Sequence, residues 1–349
     1  MGKIYNILQI KILSLIKNTS IIIMLSALVA LAAEDLVWNG ANGFSGWGQP
    51  VRMQLRQEDG VMKVNITGAD PSLTIRDIDV NPSDYSQIEF EYRGKGFPEK
   101  NTGQIYFAGK GQSLSQDRCF SFSRLRPDGE WHKAIVTKLR KGMDSWLGVE
   151  RITQLRFDII DQDSGDMEIR EFRLTNLQTE NAIYPGEDDF ADISAAFLHI
   201  VRFGKNNKMP FWIGKSNQFD HRHRGLFRIP LETLIPRGSV SKAIFEMRLA
   251  SHYGPTYERE YIVEALNEDI QKFKALDVRA DATVIGKVKI GEYSVCEPVR
   301  LDITSAVNVA LVKVNSAITL RVRPEPEENN DPCPSGAVVD LNTVRMIFQ

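Results

Sequence analysis

The chain has 349 residues, enough for two domains at roughly 150 residues each. Lys and Arg number 43 against 45 Asp and Glu, so the net charge of −2 excludes a protein that coats nucleic acid through a cationic excess. An apolar share of 42% excludes a disordered chain, and 25 Gly with 15 Pro are too few for a fibrous one.

Residues 1–33 read as an export signal. Lys3, Lys11 and Lys17 precede an apolar run from Ile21 to Ala33, and no acid appears before Glu34. The run ends Val29-Ala30-Leu31-Ala32-Ala33, with small residues where a signal peptidase reads. It is shorter than the roughly 20 residues that span a bilayer. The competing reading is an uncleaved anchor that includes the earlier Ile/Leu segment, which Lys11 and Lys17 interrupt. Cleavage makes the protein secreted, periplasmic or attached to the cell surface, with no stable membrane insertion.

Beyond the signal the dominant period is two, the pattern of half-buried strands. Gln104-Ile105-Tyr106-Phe107, Cys119-Phe120-Ser121-Phe122 and Leu155-Arg156-Phe157-Asp158-Ile159 alternate in this way. So do Val299–Ile303 and Ile318–Arg323. Turn signals separate the runs: Asp59-Gly60, Pro127-Asp128-Gly129, Asp163-Ser164-Gly165 and Arg237-Gly238. Ile262–Leu276 is the best helical candidate, but it is polar and short and reads as a loop or single turn. Polar, Pro/Gly-bearing and acidic residues make 177–189 a linker. The fold class is therefore all-β: two tandem β-sandwich, jelly-roll-like domains, 35–176 and 190–349, after the signal peptide. Pro324–Gly336 is a surface loop before a last strand, Ala337–Phe348.

The three cysteines are Cys119, Cys296 and Cys333. Cys119 sits in a strand-like run as a small buried apolar residue, whereas Cys296 and Cys333 share a half and could bridge. There is no CxxC pair to hold zinc or cycle as a redox dithiol.

The first half resembles the galactose-binding-like sandwiches and carbohydrate-binding modules of secreted proteins. The resemblance is carried by Trp38 with Gly43-Phe44-Ser45-Gly46-Trp47, Gly68-Ala69-Asp70-Pro71 and Gly103-Gln104-Ile105-Tyr106-Phe107. Asp128-Gly129-Glu130-Trp131-His132, Trp146-Leu147-Gly148 and Leu155-Arg156-Phe157-Asp158 complete it. The second half is similar to the DNRLRE type of carbohydrate-binding module, a jelly roll associated with alginate. Here the carriers are Arg224-Gly225-Leu226-Phe227-Arg228-Ile229-Pro230-Leu231, the strand Ala243–Leu249, and Val299 to Val307. Pro230 departs from that pattern, and the family's tryptophan-bearing central segment is missing. Both resemblances imply a polysaccharide as partner.

Sugar binding needs a flat aromatic face against the C–H face of a pyranose, with hydrogen-bonding groups around its rim. Trp38, Phe44, Trp47 and Trp146 are the candidates in the first half. Trp47 lies between Gly46 and Gly48 and reads as a loop residue; the alternative is that it plugs one end of the sandwich. Trp131 opens an apolar strand and reads as core. Arg224 and Arg228, with Arg222, fall on one strand face, where a row of guanidiniums could grip the acid groups of an acidic glycan. Ion pairing with neighbouring Glu or Asp is the competing role. His221 and His223 share a face and could share a metal, although no third ligand is evident. Glu187, Asp188, Asp189 and Asp192 could hold a structural calcium, but their spacing does not match an EF-hand loop, and a solvated linker is favoured.

There is no HExxH, GxSxG or P-loop, and no cofactor is indicated. His252, Tyr253, Tyr257 and Tyr261 with Arg248 are the one set that could serve a jelly-roll lyase or hydrolase. The leading expectation is a noncatalytic secreted protein that binds polysaccharide by stacking and arginine contacts. The alternatives are a structural or adhesive envelope protein and such a lyase or hydrolase.

Overall fold

The computed structural model describes residues 34–41, 44, 46–137, 143–176, 181–194, 199–204, 210–215, 222–253, 258–274, 277, 280–325 and 336–349. The signal at 1–33, Gly43, Ser45, His221, Tyr257 and Cys333 lie outside the described residues.

The first half holds β1 (Leu36–Asn39), β2 (Met53–Glu58), β3 (Val61–Ile66), β4 (Leu73–Val80) and β5 (Tyr85–Lys95). It continues with β6 (Thr102–Gly109), β7 (Cys119–Ser123), β8 (His132–Thr137), helix α1 (Met143–Leu147), β9 (Ile152–Asp158) and β10 (Gly165–Asn176). One sheet runs β2-β3-β10-β5-β8, with β1 also on β10; the other runs β4-β9-β6-β7. Every pairing is antiparallel. The β2–β3 hairpin shows why the sequence signal works. Its two-residue loop is Asp59-Gly60, and both residues have positive φ, 52° and 74°. A short polar residue followed by glycine tolerates that geometry, whose twist matches the strands.

Alternation then sorts the side chains. Phe90 and Phe172 face inward from one sheet, and Phe122 and Phe157 from the other. Their rings meet at 5.1–6.4 Å between centroids, the offset and edge contacts that aromatic rings favour. The outward set of the larger sheet is charged and paired: Lys133 with Glu89, Arg93 with Glu168, Arg170 with Glu91.

The second half holds β11 (Ala182–Ile183), β12 (Phe190–Ser194), β13 (His199–Phe203), β14 (Trp212–Lys215), β15 (Arg222–Pro230), β16 (Ala243–Met247) and β17 (Leu249–Tyr253). Then come β18 (Arg259–Leu266), β19 (Ala282–Ile290), β20 (Val299–Asp302), helix α2 (Thr304–Val312), β21 (Ala317–Pro324), β22 (Gly336–Val339) and β23 (Arg345–Phe348). A nine-stranded sheet runs β17-β22-β14-β15-β21-β18-β19, with β12 also on β15 and β13 on β12, and a four-stranded one runs β11-β23-β16-β20. A second apolar cluster, including Phe227, Phe245, Tyr261 and Met346, fills this half.

Of the segment from Ile262, the residues to Leu266 are strand, whereas 267–274 form a loop as the sequence reading expects. β18 lies between β21 and β19 and buries Tyr261, Ile262 and Val263, so pairing on both edges overrides its weak local pattern. The chain also forms a helix where alternation ends, at Thr304. Asp302 Oδ1 accepts from Thr304 N and Oγ1 at 2.9 and 2.6 Å and starts its first turn. The chain is nonetheless all-β in class. No helix among the described residues is long and apolar enough to cross a membrane.

The halves meet through more than the connecting chain. β8 is an edge strand, and its Ile135 N–H donates to Cys296 O at 3.0 Å. The Ile135 carbonyl accepts from the buried Arg248 guanidinium. The second half thus covers backbone groups of an edge that would otherwise invite a foreign strand. Cys296 itself is buried in the first apolar cluster. Beside it, Arg126 Nε donates to Glu297 Oε2 at 2.8 Å, and its NH2 pairs with Glu258. The Arg126 guanidinium lies 4.3 Å from the Tyr293 ring centroid, and Arg124 pairs with Glu292 at 2.9 Å. Tyr92 accepts from Arg126 N at 2.8 Å and donates toward Glu297 at 3.4 Å.

Candidate functional site

The tryptophans are placed chiefly for packing. Trp146, on α1, is 2% exposed; its indole N–H donates to Pro82 O at 2.9 Å, and its ring meets Phe107 and Phe120. Trp38 and Phe44 are buried in the same core. Trp47 is half-buried, edge-on to Trp38 at 5.9 Å and to Phe172 at 5.5 Å. It closes one end of the sandwich, because its bridge to Ile75 ties the glycine-rich segment down onto β4. Rings enclosed in this way offer no open face to a pyranose, which corrects the expectation for Trp38, Phe44 and Trp146. Trp131 departs in the other direction. It precedes β8 on the outward parity shared with Lys133, so it leaves the core and is half-buried under Arg170 at 3.9 Å and Arg93 at 5.0 Å.

In the second half Arg228 is committed to the protein. Its NH1 pairs with Asp189 at 3.0 Å, its Nε donates to Ile270 O and its NH2 to Ser316 Oγ. Arg224 is half-buried on β15, opposite Ile193; the Arg222 side chain is not among those described. The acids named for calcium go separate ways. Asp189 takes Arg228 and Gly186 N, while the buried Asp192 takes Trp212 N and His223 Nδ1 at 2.9 and 2.6 Å. No group of three His, Cys, Asp or Glu able to hold a metal occurs among the described residues. Of the residues weighed for catalysis, Tyr261 is core, and the guanidinium of buried Arg248 reaches Ile135 O. His252 is half-buried, and burial and the Arg124 cation hold it below the usual imidazole range; the Tyr253 side chain is not among those described.

The arrangement with chemistry to offer lies on the outer face of β4-β9-β6-β7. Where Ile105, Phe107, Leu155 and Phe157 face the core, the alternate positions Gln104, Tyr106, Arg156 and Asp158 face out. Antiparallel register sets them in rows. Ser121, Gln104 and Asp158 are directly opposite one another across β7, β6 and β9. Cys119, Tyr106, Arg156 and Thr74 form the next row. Gln116, Asp70 and Asp161 join them from loops to form a groove of about 710 Å³. Glycine is required beneath it, since a Cβ on Gly103 would stand 2.2 Å from the Phe122 ring.

Arg156 organises the groove. Its Nε donates to Asp158 Oδ1 at 2.6 Å and its NH2 to Asp70 Oδ1 at 3.0 Å, while its guanidinium lies 5.5 Å from the Tyr106 ring centroid. Asp70 reaches it from a left-handed backbone, φ 56°, a strained conformation of the kind that gathers at functional sites. The Tyr106 hydroxyl donates to Gln104 Oε1 at 2.6 Å and accepts from Gln116. Burial pushes Asp158 up to about 6, with Asp70 and Asp161 adding to the rise and Arg156 opposing it. Burial also works against the Arg156 cation, which Asp158 and Asp70 more than offset.

This raised pKa has a measurable consequence. The folded chain holds the Asp158 proton more tightly than the unfolded one, so the group favours the fold below about pH 4 and that contribution is lost as pH rises through about 6. Asp158→Asn is expected to match the wild type at pH 4 and exceed it by about 3 kcal/mol at pH 7.5 in denaturant unfolding. Parallel pH profiles for the two proteins would contradict this.

None of these groove residues is a site candidate from sequence, although Asp70, Gln104, Tyr106, Ser121, Arg156 and Asp158 lie in motifs named there. The polar members of Gln104–Phe107 and Leu155–Asp158 carried the signal; that they are neighbours across strands is not readable from either motif. A larger cavity, about 780 Å³, lies between α2 and β18–β19. Aliphatic side chains such as Leu266, Ile285 and Ile318 make up much of its wall, which has no aromatic ring.

No protein-family model matches the chain, and no curated protein matches it. Among solved structures, it is similar to a family 11 carbohydrate-binding module from Clostridium thermocellum in complex with a beta-1,3-1,4-mixed-linked tetrasaccharide. That match has 15% identity and a TM-score of 0.31, and covers 41% of this chain and 97% of the module. A mutant of a family 29 carbohydrate-binding module matches at 12% identity and TM-score 0.29, over 40% of this chain and 92% of its own. The low affinity xylan binding module CBM86 from Roseburia intestinalis matches at 7% identity and TM-score 0.29, over 42% of this chain and 98% of its own. These three similar structures are carbohydrate-binding modules, each matched over about two fifths of this chain.

Proposed function

We propose that this is an exported, noncatalytic polysaccharide-binding protein that holds a sugar chain in the groove on the β4-β9-β6-β7 sheet. The observation that supports this reading is the two cross-strand rows themselves. Side-chain amides, hydroxyls and carboxylates stand in register beside a guanidinium laid on a tyrosine ring. A sugar presents the complement: vicinal hydroxyls that both donate and accept. The binding mode is hydrogen bonding around the Arg156–Tyr106 stack, in place of stacking on open indoles. Export through residues 1–33 and membership of the two module families suggested by the sequence belong to the same proposal.

Arg156→Ala removes both the planar cation and the anchor of two carboxylates. Affinity electrophoresis in gels containing soluble polysaccharides is expected to show at least about tenfold weaker retention for this variant, with unchanged far-ultraviolet dichroism. Retention of neither protein on any polysaccharide would favour the structural or adhesive alternative, for which the burial of Trp38 and Trp146 speaks.

A further inference from the structure

We infer that the groove is charge-selective: it accepts uncharged, hydroxyl-bearing glycans, and its carboxylates Asp70, Asp158 and Asp161 turn away glycans that carry carboxylate or sulfate groups. This rests on the reading of the groove as a glycan site. It runs against the acidic ligand that the arginine row of the second half had suggested.

The argument is one of charge and of committed donors. The charged residues lining the groove are three aspartates and Arg156. Arg156 is the cation an acidic sugar would seek, yet its Nε is bound to Asp158 and its NH2 to Asp70. An incoming carboxylate that reached the remaining N–H groups of Arg156 would sit among all three acids, partly shielded from water, where like charges repel strongly. A neutral hydroxyl meets no such barrier. It donates to a carboxylate oxygen or a glutamine carbonyl and accepts from a glutamine amide. The positions differ in character. The side chain of Asp158 is largely enclosed on β9, whereas Asp70 is open on its loop. Asp161 is exposed at the end of the groove, its backbone N–H fixed to Thr102 O at 2.8 Å. Asp161 therefore acts as a gate charge whose removal leaves the sheet untouched.

The groups facing Asp158 are Arg156 on its own strand, Gln104 and Tyr106 on β6, Ser121 on β7, and Asp70 and Asp161 from the loops. With one cation among them, protonating Asp158 removes a repelling charge. Rejection of acidic glycans therefore weakens on going from pH 8 to pH 5, where a uronate chain is still ionised. Salt weakens it too, because the outer charges are screened.

The test is affinity electrophoresis of the full chain in gels containing hydroxyethylcellulose, xylan, sodium alginate or polygalacturonate. The wild type should be retained by a neutral gel and run freely through both acidic ones at pH 8. Asp161→Asn should keep neutral retention within about threefold and gain at least about tenfold on the acidic gels. Acidic gels that retain the wild type as strongly as neutral ones overturn the charge selection and leave the glycan reading standing. The same holds if retention on acidic gels is unchanged in Asp161→Asn. Retention by none of the four gels overturns the glycan reading itself.

Discussion

Phe172→Ala is expected to lower the unfolding free energy by about 3–5 kcal/mol, the range found when a large ring is removed from a core that cannot collapse around the space. Phe172 is 1% exposed on β10, the strand that pairs with β1, β3 and β5. Its ring meets Trp38 at 5.7 Å, Trp47 at 5.5 Å, Phe157 at 5.4 Å and Phe90 at 6.4 Å. It thus joins the indole plug at one end of the sandwich to the phenylalanine layer between the sheets. Guanidinium titration followed by tryptophan emission checks the loss and should show a red shift in the folded baseline, since Trp38 and Trp47 lose a packing partner. A loss below about 1 kcal/mol would contradict this account of the core.

Arg126→Ala is the second large effect, expected at about 2–3 kcal/mol. Removing one member of a buried pair leaves its partner's charge uncompensated; the partial exposure of these side chains reduces the full penalty. Arg126 binds Glu297 and Glu258 and lies over Tyr293, so its loss unties the halves at three points. Burial already pushes Glu297 above the usual carboxylate range, with Arg126 and His132 pulling it back. Without Arg126 the acid takes up a proton more readily. Differential scanning calorimetry should then resolve two transitions where the wild type shows one, because the cooperative link between the halves is weakened. Arg126→Lys, which keeps a charge but not the fork, should fall between the two. An unchanged single transition in Arg126→Ala would show that these contacts do not couple the halves.

Much of the architecture is legible because β-structure writes a period of two. Ile105 and Phe107 alternate with Gln104 and Tyr106, and Asp59-Gly60 marks its hairpin. What escaped was decided by tertiary context. The segment after Arg259 has a poor strand pattern, yet with partners on both sides its burial follows from its neighbours. The site was harder still. Indoles near glycines look like loop residues, and the core claimed most of them because a sandwich end needs a large apolar stopper. Arg156, Asp158 and Gln104 look like ordinary outward residues of three separate strands. Only register makes them adjacent, and register follows from long-range pairing that no local motif encodes. Arg228 illustrates the converse: alternation marked its face, but its partner Asp189 lies 39 positions earlier in the chain.

The cover that the second half lays over Ile135 decides how the protein can be subdivided. A fragment ending near residue 176 would keep every strand of its two sheets. It would lose the Cys296 carbonyl and the Arg248 cation that satisfy Ile135. Such a fragment would present a raw margin on which identical copies can build ribbons, with a dent where a thiol once filled the wall. A piece fit for crystallisation or ligand titration therefore holds both halves, with neither exchangeable for a homologous module without redesigning the seam.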